Sequence, residues 1–316
     1  MSDLVFSLQA TLPVFLLMMI GYVFRRIRII DDVFADRMNS FVFKVALPVT
    51  LFRQLATTDF ISVWNGRFTG FCLFATAAGI LLCILISGRI ADEKEKRAEF
   101  IQASYRSSQA LLGLAYITNM YSEAVSLPLM IIGSVPLYNI AAVLILMMGT
   151  EKAEREDRSQ VILKAVKGVI KNPIIVGIAA GILWSLLKLP YGTIFSKTVT
   201  NIAQLSTPLG LLGMGAGIDL KKVSGEMKPV LAASFIKLIG LCALFLPAAV
   251  VLGFRNEQLA TLLIMMGAPT TVSSYAMARS MGCRGDLTAG AVVCTTVMSG
   301  FTLTFWIWLL RVLSLI

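Results

Sequence analysis

Two short polar runs stand inside otherwise apolar sequence: Arg106-Ser107-Ser108-Gln109 and Gly267-Ala268-Pro269-Thr270-Thr271-Val272-Ser273-Ser274. Arginine presents a planar fork of donors that matches a carboxylate in bidentate fashion. Serine, threonine and glutamine add neutral donors and acceptors around it. Lys237, between Ile236 and Leu238, and Asn139, after Pro136 and Tyr138, are further polar residues within apolar runs. This set suits the holding of a small anion. Bond-making chemistry is not indicated. The chain has no histidine, which removes Ser–His and Cys–His nucleophile pairs and His-based zinc sites. No buried Asp pair or Ser–Lys dyad stands at a recognisable spacing, so an enzyme is not expected. Cys72, Cys83, Cys242, Cys283 and Cys294 are odd in number and lack metal spacing. They read as small buried residues and not as a disulfide framework.

The elements that must position these residues follow from composition. Of 316 residues 57% are hydrophobic and only 15% charged, with a mean hydropathy of +0.81. A soluble domain keeps roughly 25% charged residues, so the chain reads as an all-α integral membrane protein. Apolar runs of helical length exclude an outer-membrane barrel. Ten spans are predicted, at roughly 4–24, 33–56, 66–89, 98–119, 124–149, 169–188, 195–219, 228–252, 257–280 and 286–312. Met1-Ser2-Asp3 lacks a basic leader, and the first span reads as retained. Most of the 28 Lys and Arg fall in one alternate set of loops. By the positive-inside rule both termini lie outside and the loop 150–168 is cytoplasmic. The net charge of +10 is thus a topology signal in contact with the lipid bilayer, and no nucleic-acid partner is expected.

The charged loop at 151–168 divides the spans into residues 1–150 and 169–316, five spans each. Pro48 in span two and Pro208 in span seven both precede Leu-rich stretches. The polar runs of spans four and nine align at an offset of 161. An odd number of spans per half forces opposite insertion, the inverted repeat of many secondary transporters. Consecutive polar positions point all around a helix, so spans four and nine are expected to break. Unwound backbone is tolerated at membrane depth only when buried or lining a cavity. Pro269 removes a donor and pushes Ala268 out of helical angles. Pro48, Gly113, Pro208 and Pro269 are the expected hinges. A Ser/Thr-rich packing seam is the alternative for these runs. Arg106 either meets the substrate, or snorkels, or pairs with Glu99. Lys237 either meets the substrate or tethers a carbonyl of a broken helix. Asn139 meets substrate or backbone, and Lys44 reads as structural. Asp219, Glu226, Glu123 and Asp286 fall at span ends or in loops, so no midplane carboxylate offers itself as a proton carrier. No cofactor or metal is expected, and a coupling H+ or Na+ stays open.

With these residues in view, the chain resembles the auxin efflux carrier family, which includes plant auxin exporters of the PIN type and bacterial malonate and malate permease-like proteins. The resemblance runs along essentially the whole chain. It is carried by the mid-span prolines, by Asn139, by Tyr105-Arg106-Ser107-Ser108-Gln109-Ala110-Leu111-Leu112-Gly113, and by the Pro-Thr/Ser-rich run leading to Ala278-Arg279-Ser280-Met281-Gly282. Ser108 stands where the family has Asn, and the Pro that follows Gly113 in the family is absent. The resemblance implies a fold like that of bile-acid transporters and NhaA, with crossing helices 4 and 9. It implies a scaffold of helices 1, 2, 6 and 7, a transport domain of helices 3–5 and 8–10, elevator motion and a homodimer. It implies a secondary carrier of a small organic anion such as malonate, malate or an auxin-like acid, in the plasma (bacterial inner) membrane. A non-transporting receptor or an anion channel would use the same site. Arg106, Ser107, Ser108, Gln109, Asn139, Lys237, Gly267, Pro269, Thr270, Thr271, Ser273 and Ser274 are the expected substrate contacts.

Overall fold

The computed structural model describes residues 2–57, 60–121, 124–149, 167, 170–217 and 227–316. Asp219, Glu226, Glu123 and the loop 151–168, except Lys167, lie outside the described residues. Helices account for the regular structure, and no strand occurs among the described residues. We number them α1 (Ser2–Arg26), α2 (Asp32–Phe41), α3 (Leu47–Ala56), α4 (Phe60–Val63), α5 (Gly66–Ser87), α6 (Lys94–Tyr105), α7 (Gln109–Met120) and α8 (Ser126–Met148). They continue as α9 (Pro173–Leu186), α10 (Thr193–Gln204), α11 (Ser206–Ala216), α12 (Met227–Phe235), α13 (Leu241–Val251), α14 (Asn256–Gly267), α15 (Val272–Met281) and α16 (Asp286–Val312). Among the described residues, five rods are long and apolar enough to cross a bilayer: Asp3–Arg26, Gly66–Ser87, Ser126–Met148, Met227–Val251 and Asp286–Val312. Their apolar outer faces, such as Leu4, Leu8, Leu12 and Leu16 of α1 and Phe74 and Leu85 of α5, are exposed as lipid contact requires.

Local chemistry sets several helix starts. Asp31 accepts from the Phe34 amide at 2.7 Å, Asn65 from the Phe68 amide at 2.9 Å, and Asn172 from the Ile174 amide at 2.9 Å. Each side chain satisfies one amide that the first helical turn leaves without a partner. Pro173 follows Asn172 at the first helical position, where its missing N–H costs nothing.

Among the described residues, two rods stay helical through a π-helical turn. Val42–Ala46 joins α2 to α3, and Ile236–Gly240 joins α12 to α13. A lysine stands in each, Lys44 exposed and Lys237 fully buried. The expectation of a hinge at Pro48 is corrected here. Pro48 sits in the first turn of α3, directly after the π turn. The altered hydrogen-bond register there absorbs its missing donor without breaking the rod. Gly113 is likewise no break. The helix α7 runs through it, and a Cβ there would meet Leu127 at 2.7 Å, so its role is close packing. Pro208 lies in the first turn of α11, just past Leu205, which separates α10 from α11.

Lipid gives little drive for helices to associate, so close packing of small residues must do so. A Cβ on Gly21 would run into the Leu212 backbone, and one on Gly215 into the Met18 backbone, so α1 lies directly against α11. Gly177 approaches Pro48, and Gly181 approaches Phe52 and Leu55, which puts α9 against α3 in the same way. The Thr50 hydroxyl ties α3 to α10 and α11, with contacts of 3.1 Å to the Ala203 carbonyl of α10 and to the Ser206 hydroxyl of α11.

Candidate functional site

The chain leaves helical geometry in both polar runs. After α6 ends at Tyr105, Arg106 is extended (φ −68°, ψ 136°), and α7 begins at Gln109. After α14 ends at Gly267, Ala268 is extended (φ −68°, ψ 150°), and α15 begins at Val272. Local sequence explains the second break through Pro269. The first has no proline. It is held by partners from the second.

The two breaks bind each other. The Ser108 amide donates to the Pro269 carbonyl at 2.8 Å. The Ser107 hydroxyl donates to the carbonyls of Ala268 at 3.3 Å and Ile264 at 3.4 Å. The Thr270 hydroxyl donates to the Ala103 carbonyl at 2.7 Å, and the Thr270 amide donates to the Thr295 hydroxyl at 3.0 Å. The Gln102 amide group donates to the Ser274 carbonyl at 3.0 Å. Backbone groups freed by the interruptions are thus met by the other break or, for the Thr270 amide, by α16, as burial of non-helical backbone demands.

Arg106 sits at this junction with only 3% of its surface exposed. One terminal nitrogen donates to Gln102 Oε1 at 3.3 Å and to Met277 Sδ at 3.1 Å. The other donates to Asn139 Oδ1 at 3.0 Å and to the Ser273 hydroxyl at 3.4 Å. The Tyr138 ring lies 5.3 Å from the guanidinium carbon, a cation–π distance. Its partners among the described residues are therefore all neutral. Among the described residues its Nε has no partner, nor does the buried Ser274 hydroxyl. A buried cation without a counter-charge is costly, and an anion supplied from outside removes that cost. Asn139 and Met277 are half-buried and Ser273 is exposed, so the guanidinium lies about one side chain below the protein surface.

Both alternatives for Arg106 are corrected by this geometry. It does not snorkel, because its head points into the junction. It does not pair with Glu99. That buried carboxylate accepts from the Gly285 amide at 2.7 Å, and from the Thr288 amide and hydroxyl at 3.0 Å each. Glu99 therefore caps the start of α16, where negative charge is favoured. Gly285, at φ 78°, supplies the left-handed turn that aims its amide at the carboxylate.

The remaining expected residues separate by what they touch. Asn139 anchors itself through its Nδ2 to the Val135 carbonyl at 3.0 Å, which leaves Oδ1 facing Arg106. Thr271 and Ser273 share a hydroxyl–hydroxyl bond of 3.1 Å beside it. Gln109 points away, donating to the Ser134 hydroxyl at 2.5 Å. Lys237 also points away, donating to the carbonyls of Met266 at 2.5 Å and Met265 at 3.4 Å. Gly267 lets Cys242 approach, since a Cβ there would come within 2.7 Å of its sulfur. Gln102, Tyr138 and Met277 escaped the sequence reading as contacts of the arginine. Gln102 was accessible in principle, because a residue four before Arg106 shares its helical face.

A groove of about 390 Å³ lies elsewhere, between α1 and α16, lined mainly by apolar residues such as Leu8, Leu12, Phe15, Phe301 and Phe305, with Thr11 and Thr304 among them. It offers no cation to an anion. Among the described residues no group of His, Cys, Asp or Glu stands where it could hold a metal ion. No curated protein matches the chain. The model of one family, described as membrane transport protein, matches residues 6–307. An interrupted helix pair joined around a buried cation, in a protein with helices long enough to span a bilayer, accords with that match over nearly the full length. The chain belongs to the membrane transport protein family, that of the auxin efflux carriers.

Proposed function

We propose that the protein is a secondary carrier that moves a small carboxylate across the plasma (bacterial inner) membrane by alternating access, with no resident cofactor. The observation that carries this reading is the buried Arg106 guanidinium, held by neutral partners and retaining an unpartnered Nε. Its terminal nitrogens are oriented by Asn139, Gln102 and Met277. A carboxylate entering past Ser273 pairs with the arginine and accepts from Ser273 and Ser274. Pro269, Thr270, Thr271, Ser107 and Ser108 shape the backbone around it. Such a charge-assisted pair is stronger than a neutral one.

The architecture in this reading is ten spans in two inverted halves, 1–150 and 169–316, with both termini outside. The contacts at the breaks support it. Ser107 meets Ala268 and Ser108 meets Pro269, each across the same sequence offset of 161. Residues related by a twofold axis meet their own counterparts only near that axis. The glycine contacts support it as well, because span one lies on span seven through Gly21 and Gly215, and span six on span two through Gly177 and Gly181. Spans 1, 2, 6 and 7 then form a scaffold, and spans 3–5 and 8–10 move as an elevator. Among the described residues, polar contacts between the two groups are few. Examples are the Thr11–Thr304 hydroxyl pair at 2.7 Å and the bond from Asn119 to the Ala10 carbonyl at 3.0 Å. The functional unit is a homodimer.

The test is uptake of labelled malonate, malate and indole-3-acetate into proteoliposomes. Saturable uptake of at least one is expected, with Arg106→Ala abolishing it. Uptake by Arg106→Ala with unchanged affinity removes the arginine from the site. Binding without flux would favour a receptor, and flux far above carrier rates a channel.

A further inference from the structure

Lys237 is the buried charge that the anion site does not use. Its side chain is 0% exposed, and its ammonium donates to the carbonyls of Met266 and Met265. Those carbonyls belong to the last turn of α14, immediately before the break. The final carbonyls of a helix have no partner within it, and they carry the negative end of its dipole. The rod bearing the lysine is built to aim it. Lys237 is the second residue of the π turn Ile236–Gly240, a device that redirects side chains and recurs at functional positions. One turn later Cys242 nests on Gly267, the last residue of α14, which fixes the rod against that helix end.

Carbonyls at the end of an interrupted membrane helix are ligands of the kind that carriers present to a sodium ion. We propose that the Lys237 ammonium is a tethered cation that takes this carbonyl site permanently, so that the protein binds its anion without sodium. The positive charge a co-transported ion would bring is already covalently present. It cannot leave, and it travels with the break. Only the clause on anion binding rests on the carrier reading; the cation site at α14 stands apart from it.

The experiment is thermal unfolding of the full-length purified protein at equal ionic strength in sodium chloride, choline chloride, methylammonium chloride and tetramethylammonium chloride. The wild type is expected to unfold at the same temperature in all four. Lys237→Ala is expected to unfold several degrees lower in choline. Sodium or methylammonium should restore at least half of that loss, whereas tetramethylammonium, too large for the vacated space, should not. A rise in wild-type unfolding temperature with sodium over choline overturns the proposal. So does a Lys237→Ala deficit that no small cation relieves, which would make the lysine mere packing. If Lys237→Ala does not fold, the wild-type comparison decides alone. Proteoliposome uptake of labelled malonate, malate and indole-3-acetate in sodium and in choline completes the test. Equal uptake supports the proposal and sodium-dependent uptake overturns it. Absence of uptake in both salts removes the carrier reading and leaves the unfolding result standing.

Discussion

The two helix breaks solve one backbone problem with the positive charge in different places. In the first, between α6 and α7, the cation is part of the break. Arg106 faces neutral partners and keeps a donor unpartnered, while the Ala103 carbonyl beside it is served by the uncharged Thr270 hydroxyl. In the second, between α14 and α15, the break itself is neutral. Its last helical carbonyls are served by Lys237, which arrives from a neighbouring rod. One cation is held in reserve and the other is consumed by structure. Burial alone does not separate them, since both are inside the protein. What separates them is whether their hydrogen bonds lead to the helix ends or leave a ligand still to be supplied.

Removing each cation should therefore have opposite consequences. In the proposed carrier, Arg106→Ala takes away a charge-assisted contact to the substrate. Loss of such a pair costs about 3 kcal/mol or more, a hundredfold or greater fall in uptake at low substrate concentration. The substrate-free protein should lose less stability than with the lysine change, because removing a charge that has no counter-charge offsets part of the cost of leaving Gln102 Oε1 and Asn139 Oδ1 without that donor. Lys237→Met should do the reverse to the folded state. It leaves the Met265 and Met266 carbonyls buried and unpaired, at a cost of about 1–3 kcal/mol for such a group. Unfolding temperatures of the two variants without ligand check the contrast. Equal destabilisation by both would erase it.

A smaller effect tests how tightly the second break is held. Gly267 has Cys242 against it, and a Cβ would come within 2.7 Å of the sulfur. Gly267→Ala should destabilise by about 1–3 kcal/mol, the usual cost of overpacking. Gly267→Ala combined with Cys242→Ala should recover most of that loss in thermal unfolding. A double variant no better than the single one would mean that the glycine serves the backbone of the break and not the approach of the neighbouring rod.

The membrane class and the positions of both breaks were legible because they rest on local rules. Consecutive polar residues cannot share one helical face, and Pro269 forbids continued helix. Lys237 was legible only as a choice between two partners, since sequence gives depth along a helix but not the side it faces. Pro48 and Gly113 misled for a related reason. A residue that often marks a break can instead be absorbed by a π turn or used for close packing, and the neighbouring helix decides which. The arginine's partners Gln102, Asn139 and Met277 come from three helices. Their convergence is tertiary, and only Gln102 lies close enough in sequence to be paired in advance.

The hydroxyls that stitch the breaks together give the finest comparison. Thr270 reaches from the second break to the Ala103 carbonyl at 2.7 Å, a short bond between fully buried groups. Ser107 reaches from the first break to the Ala268 and Ile264 carbonyls, but at 3.3 and 3.4 Å. Bonds weaken at such lengths. The Ile264 carbonyl also has the Ala268 amide at 3.0 Å and does not depend on the serine. The Ala103 carbonyl stands at a helix end, where an intrahelical donor is lacking. Thr270→Val, close in shape, should thus cost about 1 kcal/mol or slightly more. Ser107→Ala should cost well under about 1 kcal/mol, because its carbonyls keep or hardly lose a partner. Denaturation of the two single variants and the double variant resolves the order. If Ser107→Ala proves the more damaging, the first break depends on the second less than the second depends on the first, and the assignment of Arg106 to a break held in place from across the junction has to be revised.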